Sequence, residues 1–191
     1  MYKLILITLS LLLFSSHALA EWKLNNSESS LHFISIKKSS VAEIHHFKSI
    51  TGEVDAKGSV EIAIDLASVE SNIPVRNERM QSMLFNVEKF TQANINGKVD
   101  LQKLASLAAG ETHQETITLT LELHGISQAL QSEAEVIKLV DNRLLVRSTT
   151  PIIINAQDYN LTKGIEMLRT VAKLPSISHA VPVSYSLVFE K

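Results

Sequence analysis

His45 and His46 stand side by side, and on a strand adjacent side chains point to opposite faces, so the two cannot share one metal ion without a bulge. Beyond the first twenty residues the other histidines are His32, His113, His124 and His179, and none adds a His-x-His or another pair at ligand spacing. Such scattered imidazoles point to exposed or rim positions rather than to a metal site. There is no G-x-S-x-G elbow, no Gly-rich phosphate loop and no H-E-x-x-H. The chain has no cysteine, which excludes disulfides, thiol catalysis and thiolate metal sites. No catalytic residue, metal ligand or cofactor is therefore expected, and enzyme function has no support.

The group with the most chemical potential is Arg76. It belongs to a segment in which Met80, Met83, Leu84 and Val87 recur at helical spacing while Glu78 and Lys89 fall on the other side, predicting one short amphipathic helix near residues 74–88. Pro74 suits a first helical turn, with Asn72 or Ser71 as the expected cap. Stepping about 100° per residue from Met80 puts Arg76 within roughly 40° of the apolar stripe and Arg79 about 100° from it. An inward guanidinium needs a carboxylate, carbonyl groups or an anionic ligand. A structural ion pair and a ligand contact both answer that need. An enzyme that used Arg76 with Glu78 or Asp158 is a third alternative.

The elements around this helix are strands. Val60, Ile62, Ile64 and Leu66 alternate with Glu61, Ala63 and Asp65, and Ile117, Leu119, Leu121 and Leu123 alternate with threonines and Glu122. His124 to Ser127 reads as a hairpin turn, with Leu130 to Val140 returning as its partner strand. Val181, Val183, Tyr185, Leu187 and Phe189 form a third apolar face, in which Pro182 argues for an edge or for the start of the strand. Leu31 and Phe33 alternate with His32 near the beginning. Trp22, the only tryptophan, is expected to close one end of the domain. Residues 93–104 read as extended, Ala156 to Tyr159 as a short helical turn, and residues 162–178 as a loop that can hold a helical turn around Ile165 to Thr170. About eight strands, few helices and no βαβ alternation give an all-β, antiparallel barrel or sandwich. A sandwich would use the aliphatic faces as dry core, whereas a barrel of about eight strands can hold a small apolar ligand.

Residues 1–20 carry one positive charge at Lys3, an apolar run from Leu4 to Phe14 and small residues at Ala18 and Ala20, which predicts a signal peptide cleaved after Ala20 and a periplasmic location. The apolar run is shorter than the ~20 residues a bilayer needs. One domain, 21–191, is expected after cleavage. The chain of 191 residues has a formal net charge of −2, and losing Lys3 makes it −3. That balance offers no electrostatic reason for nucleic acid as a partner.

Taken together, Trp22, the Ser30-Leu31-His32-Phe33 run, the Phe47 to Gly52-Glu53-Val54 turn, DLASVESNIPVRNERMQSMLFNVEKF at 65–90, LTLELHGIS at 119–127 and PIIINAQDYNL at 151–161 resemble the YceI-like family over essentially the whole mature chain. The chain has Asn77 after its arginine where that family usually has an acid, and Asp158-Tyr159-Asn160 in place of Asp-Phe-Gly. The resemblance implies a lipocalin-like antiparallel β-barrel, periplasmic, that encloses a polyisoprenoid or similar long-chain lipid, and it implies a homodimer. On that basis Leu31, Phe33, Ile62, Ile64, Leu119, Leu121, Val183, Tyr185 and Leu187 are the expected ligand-binding wall, with Met80, Met83 and Leu84 closing the barrel and Arg76 the candidate polar contact. The alternative is an interaction module with a filled core, acting in envelope stress or in a redox assembly, with a membrane or redox partner.

Overall fold

The computed structural model describes residues 20–191. The predicted signal segment, except for Ala20, lies outside the described residues. Twelve β-segments build eight long strands. Four of the eight are broken once each: β1 (Ala20–Leu24) continues as β2 (Ser30–Lys37), β3 (Val41–Phe47) as β4 (Ile50–Asp55), β5 (Ser59–Asp65) as β6 (Val69–Glu70), and β10 (Leu144–Ser148) as β11 (Ile152–Asn155). The others are β7 (Gln92–Lys98), β8 (Thr112–Leu123), β9 (Ile126–Lys138) and β12 (Ala180–Glu190). Pairing runs β1–β4–β5–β7–β8–β9–β10–β12 and returns to β1, so the antiparallel sheet closes as a barrel of eight strands.

The breaks are kinks in continuous strands, that near Lys48 standing where the sequence suggests a turn after Phe47, and side chains take over the interrupted ladder. Asn26 accepts from the Ile50 amide at 2.8 Å and donates to the Lys48 carbonyl at 2.9 Å. Ser68 Oγ accepts from the Ser49 amide, Ser29 Oγ from the Val188 amide and Ser148 Oγ from the Tyr185 amide. Each short polar side chain satisfies a backbone donor that the kink would otherwise leave unpaired. A barrel of so few strands gains curvature at such points.

Alternation decides what faces inward. Val60, Ile62 and Ile64 of β5 are all buried, as are Ile117 and Leu121 of β8, while the intervening threonines of β8 meet solvent. The β8–β9 hairpin is tighter than predicted: His124 and Gly125, at φ of 53° and 78°, form a two-residue turn, and β9 starts at Ile126 rather than Leu130. Two positive φ values match the right-handed twist of the strands, and glycine meets that demand without strain. Pro182 sits near the start of β12, just past Val183, where the β2 ladder ends.

The helical content exceeds the expectation of one short helix. Helix α1 (Pro74–Arg79) continues into a π-helical turn (Met80–Phe85) that stops at Asn86, φ 49°, so Val87 falls outside it. Neither Ser71 nor Asn72 caps α1. Asn77 reaches back instead, its Oδ1 accepting from the Ser71 amide at 2.9 Å and its Nδ2 donating to Glu70 at 2.9 Å. Helix α2 (Leu101–Ala105) replaces part of the expected extended piece, capped by Asp100. Helix α3 (Thr162–Val171) takes up the first part of the expected loop and extends the helical turn read around Ile165 to Thr170 in both directions. Gly164, which suggests a loop on sequence grounds, is needed for contact: a Cβ there would lie 2.7 Å from the Met83 carbonyl oxygen.

The π turn and α3 pack together over one end of the barrel. Trp22 and α2 close the other, where Lys138 Nζ lies 4.9 Å and Lys191 Nζ 5.1 Å from the centre of the buried indole ring.

Candidate ligand-binding site

The barrel is hollow under its helical cap. A cavity of about 450 Å³ is bounded by inward side chains of β2, β3, β5, β7, β8, β11 and β12, and from above by α1, the π turn and α3. Its size falls within the range of ordinary small-molecule sites. Aliphatic and aromatic groups supply most of the wall. A smaller void of about 80 Å³ lies toward Trp22, surrounded by Val54, Val60, Ile62, Leu187 and Phe189 among others. Leu31, Ile95, Leu119 and Tyr185 line both spaces and form a waist between them. Tyr185 is held there through its hydroxyl, 2.8 Å from the buried Ser132 Oγ. Burial raises the pKa of this phenol, so it stays neutral.

The expected wall residues divide between the two chambers. Phe33, Ile64, Leu121 and Val183 line the large one, with Met80, Leu84 and Arg76 contributed by the cap; Leu31, Leu119 and Tyr185 lie at the waist. Ile62 and Leu187 line only the small chamber. Met83 belongs to the π turn that packs over the barrel but lines neither chamber, and its backbone carbonyl lies close to Gly164 of α3.

Polar groups gather on one side of the large cavity. Arg76 Nη1 donates to Glu43 Oε2 at 2.7 Å, and Nη2 donates to the Ser71 carbonyl at 2.6 Å. Lys37 Nζ reaches the same Glu43 oxygen at 2.7 Å. The Lys37 hydrogen bond, with the Arg76 charge beside it, holds Glu43 below the usual carboxylate range despite partial burial. Deeper in the wall, His45 is almost fully buried, its Nε2 lying 2.8 Å from Ser35 Oγ and its ring 5.2 Å from that of Phe33. Burial, reinforced by the nearby Arg76 charge, pulls its pKa down to about 4, so the imidazole is neutral at physiological pH. His45 Nδ1 and Arg76 Nε are buried without a protein partner.

Lys37, Glu43 and His45 were absent from the expected wall because charged and imidazole side chains carry no apolar signal. Period-2 spacing nonetheless puts Ser35 and Lys37 on the face of Leu31 and Phe33, and Glu43 and His45 on the face of Phe47. The contribution of α3 was also legible: Leu161, Ile165 and Leu168, all lining the cavity, recur at helical intervals. Among the described residues, no group of three or more His, Asp and Glu side chains is arranged to hold a metal ion.

A closed antiparallel barrel of eight strands with an apolar chamber under a helical lid defines a lipocalin-like binding fold. The chain belongs to the YceI-like family, whose domain model matches residues 22–189. A polyisoprenoid binding domain from Saccharophagus degradans, implicated in plant cell wall breakdown, is 37% identical and superposes with a TM-score of 0.88 over 90% of this chain and 98% of that domain. BcnA of Burkholderia cenocepacia, 17% identical, has the same fold with a TM-score of 0.67 over 86% of this chain and 98% of its own. The YCEI protein of Campylobacter jejuni, also 17% identical, matches at 0.53 over 77% of this chain and 84% of its own. No curated protein matches the chain in sequence.

Proposed function

We propose that this protein is a periplasmic binding protein that sequesters or carries a long-chain apolar ligand, a polyisoprenoid or similar lipid, inside the barrel. The observation that carries the proposal is the 450 Å³ cavity, whose wall is predominantly hydrocarbon. Solvent exclusion is the driving force, about 0.8 kcal/mol for each buried methylene, so a chain of many carbons binds tightly with few polar contacts. The S. degradans domain, a polyisoprenoid binding protein at 37% identity, supports the same ligand class. Twelve of the thirteen residues expected from sequence serve this role as the wall and cap described above, Met83 standing in the closing turn without lining either chamber, and Ile62 and Leu187 are reached by a chain that passes the waist. Binding rather than catalysis is proposed, because the polar groups beside the cavity are engaged mostly with one another.

Export to the periplasm rests on the apolar segment and small residues at 1–20. A homodimer belongs to the same proposal: Ile44 and Ile153 are exposed on the outer face of the sheet, and each is paired across the ladder with another apolar residue, Ile34 and Pro182.

Native mass spectrometry of the protein purified from its own host, followed by solvent extraction, tests the proposal. A stoichiometric adduct that extracts as a long-chain lipid is the expected result. A bare mass, unchanged after incubation with polyprenyl lipids, would overturn it in favour of the filled-core interaction module.

A further inference from the structure

We propose that the capped end of the barrel is a docking lip for a membrane, and that its partner is the surface of an anionic phospholipid bilayer. This deepens the carrier function proposed above and takes its purpose from it, although the observations stand independently. Ile73 and Val75 at the start of α1 and Val171 at the end of α3 line the large cavity and are nevertheless 44%, 48% and 39% exposed. The cavity therefore reaches the surface between these two helices. Met167, 43% exposed and one turn before Val171, extends the same apolar face outward. Large aliphatic groups brought together at the opening of an apolar chamber are not single surface residues needing no account.

Charge at this end is basic, against the negative sign of the whole chain. Lys37, Arg76 and Arg79 line the cavity, with Glu43 the one carboxylate among its walls. Lys173 is exposed immediately after the Val171-Ala172 rim, and Lys38 is exposed in the β2–β3 turn, whose backbone bonds to Ser176. Glu166 of α3 is taken up by Arg169, and Glu78 is an exposed acid on α1. Exposed aliphatic groups within a basic ring suit insertion at the headgroup boundary of an anionic bilayer. The occupant's chemistry demands the same arrangement. A long hydrocarbon cannot cross open water without exposing every methylene, so loading through a mouth pressed against the lipid surface avoids that cost.

Co-sedimentation of the whole protein with vesicles tests the lip without any ligand. Vesicles of phosphatidylcholine mixed with phosphatidylglycerol are expected to pellet the protein, and vesicles of phosphatidylcholine alone to pellet much less. Met167→Asp combined with Lys173→Gln changes two exposed residues that line neither cavity, and is expected to weaken partitioning roughly tenfold. Lys57→Gln, which makes the Lys173→Gln charge change at the Trp22 end, is expected to leave it unaltered. Protein that stays in solution with anionic vesicles overturns the proposal, as does an equal loss in Lys57→Gln. Loss of self-association in the double variant, in the absence of any vesicle binding, assigns the apolar face to a second copy and also overturns it. Ligand occupancy after delivery in detergent, read by native mass spectrometry, separates the two proposals. Retained occupancy without docking sinks the lip alone, and docking without occupancy supports the lip while sinking the carrier function.

Discussion

Arg76 and Glu43, 33 residues apart in sequence, form an ion pair of 2.7 Å that ties the first helix to the wall of β3. The side chains are only 24% and 28% exposed, so the pair lies between the surface and buried regimes. The second nitrogen, bound to the Ser71 carbonyl, anchors the loop that leads into the helix. Arg76→Ala is expected to cost about 2 kcal/mol in urea unfolding, because Glu43 and the Ser71 carbonyl both lose a charged partner. The effect of Glu43→Gln should shrink when Arg76 is already Ala, which a double-mutant cycle reads directly. Additive costs would mean that the pair does not act as a unit.

His45 makes stability depend on pH in a defined window. Its folded-state pKa of about 4 lies below the ordinary 6.5, so between those values the unfolded chain binds a proton that the folded chain refuses. Stability from this residue is complete above about 6.5 and falls as the pH drops toward 4, with a slope of up to about 1.4 kcal/mol per pH unit. His45→Phe packs beside Phe33 and cannot titrate. Unfolding free energies measured from pH 7 to 4 should therefore fall less steeply in the variant, and parallel curves would contradict the assignment.

Gly164 sets how closely α3 approaches the π turn. An added Cβ meets the Met83 carbonyl oxygen at 2.7 Å and Leu84 Cα at 2.8 Å, both backbone atoms that a rotamer change cannot move away. Gly164→Ala is expected to destabilise by about 1–3 kcal/mol and to loosen the cap. Thermal unfolding measures the first effect, and hydrogen exchange in residues 80–85 and 162–171 the second. An unchanged melting temperature would show that the two backbones separate at no cost.

The waist should decide how long a chain the barrel accepts. Gly97 faces Leu119 across β7 and β8, and a Cβ on Gly97 would lie 2.7 Å from Leu119 Cδ2, the movable end of a flexible side chain. Gly97→Ala is expected to push that leucine into the passage at a cost of no more than about 1–3 kcal/mol, favouring shorter chains. Leu119→Ala should do the opposite by joining the two chambers. Competition between polyprenyl lipids of different length, read by mass spectrometry of the bound fraction, checks both variants. Identical length preferences would place the ligand's end short of the waist.

Period-2 alternation in residues 60–66, 117–123 and 181–189 was enough to identify the strands, their inward faces and an antiparallel all-β fold, because side-chain direction on a strand is a local property. The helical spacing around Met80 likewise marked α1, and its phase turned Arg76 inward. Closure was another matter. Whether those faces enclose a dry core or a chamber depends on β12 pairing with both β10 and β1, and on Asn26, Ser29, Ser68 and Ser148 bridging kinks between strands distant in sequence. Glu43 became the partner of Arg76 only when β3 was brought beside the helix. The full extent of helix α3 was obscured by Gly164, whose purpose appears only against the Met83 carbonyl. Local periodicity thus determined which side chains face inward, and long-range pairing and packing decided how much space they leave, because the volume of a cavity is a property of surfaces that meet across the fold.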